Sequence, residues 1–320
     1  MRRALGILAL AAAMTTASAF AQSDWPSRPV RYIVPLAPGG TADGVARVMA
    51  ERLSALWRMQ VVVENRAGGN TIIGTEAIAR AAPDGYTIGM GIITSQAANP
   101  FLYPKLAYDV EKDFTHIVLI AISPVFLIVH PSVPAGNLQE FLAYAKANPG
   151  KLSFATTGYG SSFHIATEML MQRTGIQMVH VPYKGMGSAV ADLLSGNVQL
   201  AIDVSTMAQV RQGKLKALGV VDKVRFEGAP DIPSFSEQGL PDFAFNTWLT
   251  LHAPAGLPPE LRQRINADVN KVLAMPDVRE RFAKMSYVAQ GGSPEQLSAF
   301  LADERIKIGR IIREGRIEPQ

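Results

Sequence analysis

Directly behind the apolar run Tyr32-Ile33-Val34 the chain reads Pro38-Gly39-Gly40-Thr41-Ala42-Asp43. Val45, Val48, Met49, Leu53 and Leu56 then recur at helical spacing. The order is a buried strand, a glycine turn and an amphipathic helix. Glycines just before a helix leave its first amides bare, where an anion can sit. The turn holds no lysine or arginine and lacks the G-x-x-x-x-G-K-[ST] pattern of a phosphate loop, which argues against a nucleoside triphosphate. It suits a small carboxylate held by neutral donors; an ordinary strand-to-helix turn is the plainer alternative.

The same alternation continues along the chain and predicts parallel α/β sheets. Strands are expected over 31–34, 61–63 and 86–92, with helices over 43–57 and about 72–81. A second set starts with the fully apolar Val125 to Val129. Asn137 caps a helix with Glu140 at the capping-box position. Strands over 152–156, 178–181, 198–202 and 215–221 follow. The helix between the first two carries Ile165, Met169 and Gln172 on one side and stops at Gly175. The last segment returns to strand over 247–251. One helix after Pro258-Pro259 turns Leu261, Ile265, Val269 and Val272 inward. Another begins at Ser293-Pro294-Glu295-Gln296, with Leu297, Phe300, Leu301 and Ile308 inward. The predicted fold is α/β with two lobes and two crossings, near Val125 and near Asn246. Lobe 1 is discontinuous (22–125 and 246–320), and lobe 2 is 126–245. Ligands in open α/β sheets lie beyond the strand carboxyl ends, so the two lobes would close on a solute by a hinge motion.

The N-terminus predicts the compartment. Met1-Arg2-Arg3 is basic, Ala4 to Ala13 is almost wholly apolar, and Ala19-Phe20-Ala21 is an A-x-A site. This is the pattern of a cleaved secretory signal peptide over residues 1–21, with cleavage expected after Ala21. There are no cysteines, so the exported chain is expected to hold together through its core, without disulfides or a lipid anchor. No other stretch reaches the roughly twenty apolar residues of a spanning helix. A periplasmic protein is the expectation. Removing Arg2 and Arg3 from the 31 basic residues leaves 29 against 27 acidic ones, a net charge of +2. With no basic run or aromatic-basic stripe, nucleic acid is not an expected partner.

Four segments that follow strands are expected to line the cleft: Leu36 to Asp43, Thr94 to Asn99, Thr157 to His164, and the segment beginning at Asp203. Val181-Pro182-Tyr183-Lys184-Gly185 sits beside them. The candidate ligand-binding residues are Leu36, Gly39, Gly40, Thr41, Asp43, Thr94, Ser95, Asn99, Thr157, Gly158, Gly160, Ser161, Ser162, His164, Tyr183, Lys184 and Asp203. This set is rich in donors and nearly free of fixed positive charge. Each donor bond to a carboxylate contributes roughly 1.5–3 kcal/mol, so three or four suffice for micromolar binding. Asp203 offers an acceptor for a ligand amine or hydroxyl, and equally a cap for the turn that follows. Asp43 is expected to order its turn rather than touch an anion. Lys184 either pairs with a distal carboxylate or is a solvated loop residue. The five histidines are scattered, with no i, i+4 pair, so no metal is expected. The stretch Gly158-Tyr159-Gly160-Ser161-Ser162 is not a G-x-S-x-G elbow. Neither an activated nucleophile nor a cofactor fingerprint stands out, so neither catalysis nor a cofactor is expected. A periplasmic hydrolase is the weaker alternative.

From about Trp25 to the C-terminus the chain resembles the substrate-binding proteins of tripartite tricarboxylate transporters, the Bug-type receptors. The matching blocks, in order, begin with Trp25-Pro26-Ser27-Arg28-Pro29, the Pro38-Gly39-Gly40 turn, Val63-Glu64-Asn65-Arg66 and Pro83-Asp84-Gly85-Tyr86-Thr87. Further along come Asn148-Pro149-Gly150-Lys151-Leu152, Gly160-Ser161 with His164, and His180-Val181-Pro182-Tyr183-Lys184-Gly185. The resemblance implies a periplasmic Venus-flytrap receptor of type II-like fold. It would deliver a di- or tricarboxylate, an acidic amino acid or an aromatic acid to the membrane permease subunits of a secondary transporter. Presentation of the ligand to a sensor-kinase ectodomain is the alternative. It further implies a carboxylate held by backbone groups and ordered waters near Leu36, Gly40, Thr41 and Asp43, with the Ser161 and Asp203 neighbourhoods opposite. The chain departs from the family pattern at Leu36, where an aromatic is frequent, and at Ile308, in place of a tryptophan. It departs again at Ala67-Gly68-Gly69-Asn70-Thr71-Ile72-Ile73-Gly74, which has fewer glycines than the family pattern. These departures bear on ligand identity, not on the fold.

Overall fold

The computed structural model describes residues 25–315 and 317–318; the expected signal peptide and its cleavage point lie outside the described residues. The chain builds two sheets. The first contains β1 (Val30–Val34), β2 (Val61–Asn65), β3 (Thr87–Ile92), β4 (Phe114–Pro124), β10 (Asn246–Pro254) and β11 (Val288–Ala289), in the order β11-β4-β10-β3-β1-β2. The second contains β5 (Phe126–Val129), β6 (Ser153–Thr156), β7 (Val179–Pro182), β8 (Leu200–Asp203) and β9 (Lys216–Val220), in the order β7-β6-β8-β5-β9. This is a two-lobe α/β fold.

The expectation of parallel sheets holds for part of each sheet and is corrected for the rest. β1 runs parallel to β2 and β3, but β10 inserts antiparallel between β3 and β4. In the second sheet β6 is parallel to β7 and β8, while β5 is antiparallel to both β8 and β9. The reason is the crossing itself. β4 ends at Pro124 and β5 starts at Phe126, so a single residue, Val125, carries the chain from one sheet to the other. β10 returns alongside, pairing Asn246 with Pro124. Strands that cross between lobes must enter as neighbours of opposite direction. The Val221 amide donates to Val125 O (2.8 Å) and the Phe245 amide to Val221 O (3.0 Å), so the crossing segments are hydrogen-bonded to one another.

Helices cover the sheets. α1 (Thr41–Trp57) buries Val45, Val48, Met49 and Leu53 against the first sheet. Leu56, expected inward, is 38 % exposed, and Trp57 takes the buried place at the end of that face, its indole N–H donating to Asp268 Oδ2 at 3.0 Å. α2 (Ile72–Ala79) follows β2, and α4 (Leu138–Ala147) follows β5, its cap Asn137 accepting from the Glu140 amide. α5 (Ser162–Thr174), α6 (Met186–Ser195) and the short α7 (Met207–Arg211) complete the second lobe's helices. α8 (Pro259–Leu273) and α9 (Pro276–Lys284) pack on the first sheet. The last helix, α10 (Pro294–Glu314), starts with a capping box between Ser293 and Gln296. α10 joins both lobes into one core. Leu297, Leu301, Ile308 and Ile311 pack in the same buried cluster as Ile93 and Leu102 from the first lobe and Leu127, Phe154 and Ile165 from the second.

Candidate functional site

The first candidate turn is built as the sequence requires. Gly39 has φ of +89°, a left-handed backbone that favours glycine. Gly40 is the N-cap of α1 in extended conformation and supplies no side-chain cap. The first amides of this 17-residue helix therefore receive no side-chain cap, and Thr41 beside them is half-buried. Asp43, buried, ties the turn from behind. Its Oδ2 accepts from the Gly39 amide (2.9 Å) and Arg47 Nε (2.9 Å), and its Oδ1 from Asn65 Nδ2 (2.9 Å). Burial pushes its carboxyl upward, but the bonds from Arg47, Gly39 and Asn65 outweigh that and hold it below the usual carboxylate range. Asn65 also donates to Leu36 O (3.1 Å), so Leu36 is fixed through its main chain. Arg47, occupied by Asp43 and by Asn65 Oδ1, is committed to the turn.

The second candidate segment is not a loop. Thr94–Ala98 forms a π-helical turn that runs straight into α3 (Asn99–Leu102), and Thr94, Ser95 and Asn99 are buried. The Ser95 hydroxyl is spent on β3, bonding Ile92 O and the Ile92 amide. Asn99 donates to Asn70 O (2.9 Å) and to the Tyr108 hydroxyl (3.2 Å). Ser95 and Asn99 brace the wall and do not present free donors. The sequence reading missed this because the run Thr-Ser-Gln-Ala-Ala carries no turn-forming residue that distinguishes loop from irregular helix.

On the second lobe, Thr157 and Gly158 lead into Gly160, which has φ of +67° and touches the first lobe: a Cβ there would run into Leu102 Cδ1 and approach Asn70. Ser161 caps α5 by accepting from the His164 amide, and Ser162 opens the helix, half-buried. His164 sits underneath. Its Nδ1 accepts from the Gly160 amide (3.0 Å) and its Nε2 lies 3.5 Å from Glu168 Oε1. The ring stacks on His180 at 4.0 Å between centroids, and His180 Nε2 meets the Thr156 hydroxyl, which also bonds both the amide and the carbonyl of Gly158. Burial, then the neighbouring His164, pushes His180 down to about 4. His164 thus shapes the Gly158–Ser162 turn from below. Tyr183, in contrast, turns away: its hydroxyl donates to Asp192 Oδ2 at 2.7 Å. Lys184 is exposed.

Asp203 ends β8 and is fully buried. Both its oxygens lie near the Ser205 hydroxyl (3.1 and 3.0 Å), and Oδ2 accepts from the Thr206 amide (2.8 Å). It therefore caps the turn before α7, one of its two expected roles. Sequence reasoning also missed one residue. Tyr287, just after α9, is buried. Burial first, with Asp203 adding to it, raises the phenol to about 12. The neighbouring Ser286 carbonyl accepts from Ser123 Oγ (2.7 Å), so Tyr287 sits beside the end of β4, at the crossing between the lobes. Nothing near residue 287 signals this; only tertiary packing brings it there, with Met285 seated on Gly44, where a Cβ would lie 2.6 Å from Met285 Sδ.

Among the described residues no lysine or arginine lies within 4 Å of Asp203, and no group of three or more acidic, histidine or cysteine side chains is placed to hold a metal ion. Two open cavities of about 730 and 420 Å³ lie elsewhere, beside α10, and none of the candidate residues lines them.

Comparison with known proteins supplies the context. Residues 45–317 match the family described as "Tripartite tricarboxylate transporter family receptor". The protein BugT of Bordetella pertussis is 34% identical over 318 residues, covering 98% of each chain. Among solved structures, Rpa4515 of R. palustris with adipate is 30% identical, with a TM-score of 0.88 over 93% of this chain and 100% of that one. MatC of Rhodopseudomonas palustris, with bound malate, is 31% identical, with a TM-score of 0.82 over 90% and 100%.

Proposed function

The chain belongs to the tripartite tricarboxylate transporter receptor family, and we propose that it captures a small carboxylate-bearing metabolite between its two lobes and hands it to membrane permease subunits. Family members are periplasmic solute-binding receptors; export through a leader removed after Ala21 is part of the same proposal. So are the lobe limits, 22–125 with 246–320 and 126–245. The observation that carries the reading is the open N-terminus of α1. Gly40 leaves it without a side-chain cap, Asp43 braces it from behind, and Arg47 is committed to Asp43. Such a turn offers a carboxylate backbone amides, the Thr41 hydroxyl and the positive end of a helix dipole, without a guanidinium clasp. The adipate and malate held by the two similar structures fit this class. Gly158, Gly160 and Ser162 would close from the other lobe.

The family consists of binding receptors, and in the same reading the protein turns over nothing. His164, the histidine nearest the site, is engaged by the Gly160 amide and Glu168, so it does not activate a serine. A thermal-shift screen of organic acids tests the binding reading. A ligand at a hundred times its dissociation constant adds about 2.7 kcal/mol of apparent stability. A response to at least one acid is expected; silence across di-, tri-, amino and aromatic acids, after removal of co-purified ligand, overturns it. Pull-down against permease subunits and against a sensor-kinase ectodomain separates transport from signalling.

A further inference from the structure

We propose that Ile317 and Glu318, where the chain leaves α10, form a strap that fastens the turn over residues 158–162, and that Tyr159 is the positioning residue it holds. The turn's part in ligand capture rests on the carboxylate-receptor reading; its fastening does not.

The composition of the turn explains why it needs fastening. It reads Gly158-Tyr159-Gly160-Ser161-Ser162. Gly158 and Gly160 both hold positive φ, +123° and +67°, and glycine loses more conformational freedom on ordering than any other residue. Tyr159, half-buried between them, is the one large side chain in the run, so it is the residue by which the turn can be gripped from outside. Its ring rests on His164 at 4.8 Å between centroids, and its hydroxyl accepts from the Glu318 amide at 2.8 Å. His164 grips the turn from below by accepting from the Gly160 amide. The Glu318 amide is a second hold, from a different element.

That element is anchored on the other lobe. Along α10, Ser298 Oγ lies 3.1 Å from His116 Nδ1 on β4, and Glu304 accepts from the Trp248 indole on β10 at 2.8 Å. Gly309 lies against Phe101 of α3, where a Cβ would sit 2.5 Å from the ring. The last turn of the helix then crosses over. Gln172 of α5 donates to Ile311 O at 3.3 Å and packs on Gly315, leaving no room for a Cβ there. Beyond the helix the Ile317 amide donates back to Ile312 O (3.1 Å), and the Ile317 side chain is buried in the cluster that holds Ile165 and Leu170 of α5. A helix fixed on one lobe thus ends on the other. Its final contact is with the turn whose Gly160 meets Leu102 of the first lobe. The strap thereby ties the position of the turn to the lobe it closes against.

The test is hydrogen–deuterium exchange of the full mature chain without ligand, in the wild type, Tyr159→Phe, Ile317→Ala and the double variant. Phenylalanine keeps the ring on His164 and removes only the acceptor of the Glu318 amide. Amides of residues 157–162 are expected to exchange about threefold or more faster in Tyr159→Phe and about tenfold or more faster in Ile317→Ala, while those of residues 36–43 stay within about twofold. Both substitutions undo one fastening, so the double variant is expected to match the stronger single variant and not the product of the two. Unchanged exchange over residues 157–162 in both single variants overturns the inference, and so does a full product in the double variant. Faster exchange spread evenly over both lobes also overturns it, since that marks a weakened core. If Ile317→Ala does not fold, Tyr159→Phe decides alone. Malate and adipate, the acids held by the two similar structures, probe the consequence for capture. Affinity in Tyr159→Phe is expected to fall about threefold, through faster release. Unchanged affinity beside a faster-exchanging turn would overturn the turn's part in capture and leave the strap standing. Binding of neither acid by the wild type bears on the receptor reading alone, because the exchange is read without ligand.

Discussion

At the residue scale, some side chains are proposed to touch a ligand and others shape the turn. Thr41 belongs to the proposed first group. An aspartate at the start of a helix is favourable for the helix itself, by about 0.3–1 kcal/mol. Thr41→Asp is therefore expected to melt at the same temperature or slightly higher, while affinity for any acid found in a screen falls about 30-fold or more. Two unit charges about 4 Å apart near a protein surface repel by about 4 kcal/mol, and even half of that gives such a loss. Asp43 belongs to the second. Asp43→Ala removes the acceptor of the Gly39 amide, of Asn65 and of Arg47. A loss of about 2–4 kcal/mol in denaturant unfolding is expected, because these donors lose a buried, charged partner. The structural role of Asp43 was legible in the sequence, since like charges exclude it from an anion site. Tyr287 was not, because its place depends on α9 docking against α1. Ser95 and Asn99 looked like free donors from their type alone; their partners, Ile92 and Tyr108, are set by the fold.

At the scale of elements, periodicity and punctuation carried most of what could be read. The capping box at Ser293, the Asn137 cap and the glycine stop at Gly175 mark ends that the structure shares. What the sequence did not disclose was β4. Its run Phe114–Pro124 is buried at alternating and adjacent positions alike, because strands flank it on both sides and α8 and α10 pack against it. Strand direction was equally hidden, since it follows from the crossing at Val125 and not from any local pattern. One close approach between elements gives a sharp test. Gly74 in α2 lies against the main chain of the segment after β1: an added Cβ would sit 2.5 Å from Arg66 O and 2.7 Å from Pro35 Cα. Backbone does not yield cheaply, so Gly74→Ala is expected to destabilise by about 2 kcal/mol or more despite the gain in helix propensity. The midpoint of urea unfolding measures it. Gly160→Ala acts at the junction of the lobes, where Leu102 fills the space. It is expected to weaken ligand binding about tenfold or more while shifting unfolding less, because it hinders closure and strains a left-handed residue.

For the whole molecule, the two-lobe plan was legible because two sets of strand-helix units are separated by a strand that returns late in the chain. The shared core under α10 was not, since an amphipathic helix does not say which lobes it joins. The fold also carries a pH dependence. Burial, with a neighbouring histidine or arginine, lowers His180 and His116 to about 4 and places His252 well below its ordinary value. These imidazoles stay neutral in the folded chain while the unfolded chain takes up protons below about 6.5. The unfolded state then binds more protons, so stability is full above that pH and declines as pH falls from about 6.5 toward 4. Melting curves at pH 7.5, 6.0 and 5.0 are expected to show a progressive drop, on the order of 1–2 kcal/mol each for His116 and His180 by pH 5. His180→Gln should reduce it. The central claim, that neutral donors at the start of α1 hold a carboxylate between closing lobes, is tested most directly by a crystal structure grown with the acid that gives the largest thermal shift. The expected result places a ligand carboxylate about 3 Å from the Thr41 hydroxyl and the α1 amides; a carboxylate clasped by an arginine, or bound outside the cleft, would contradict it.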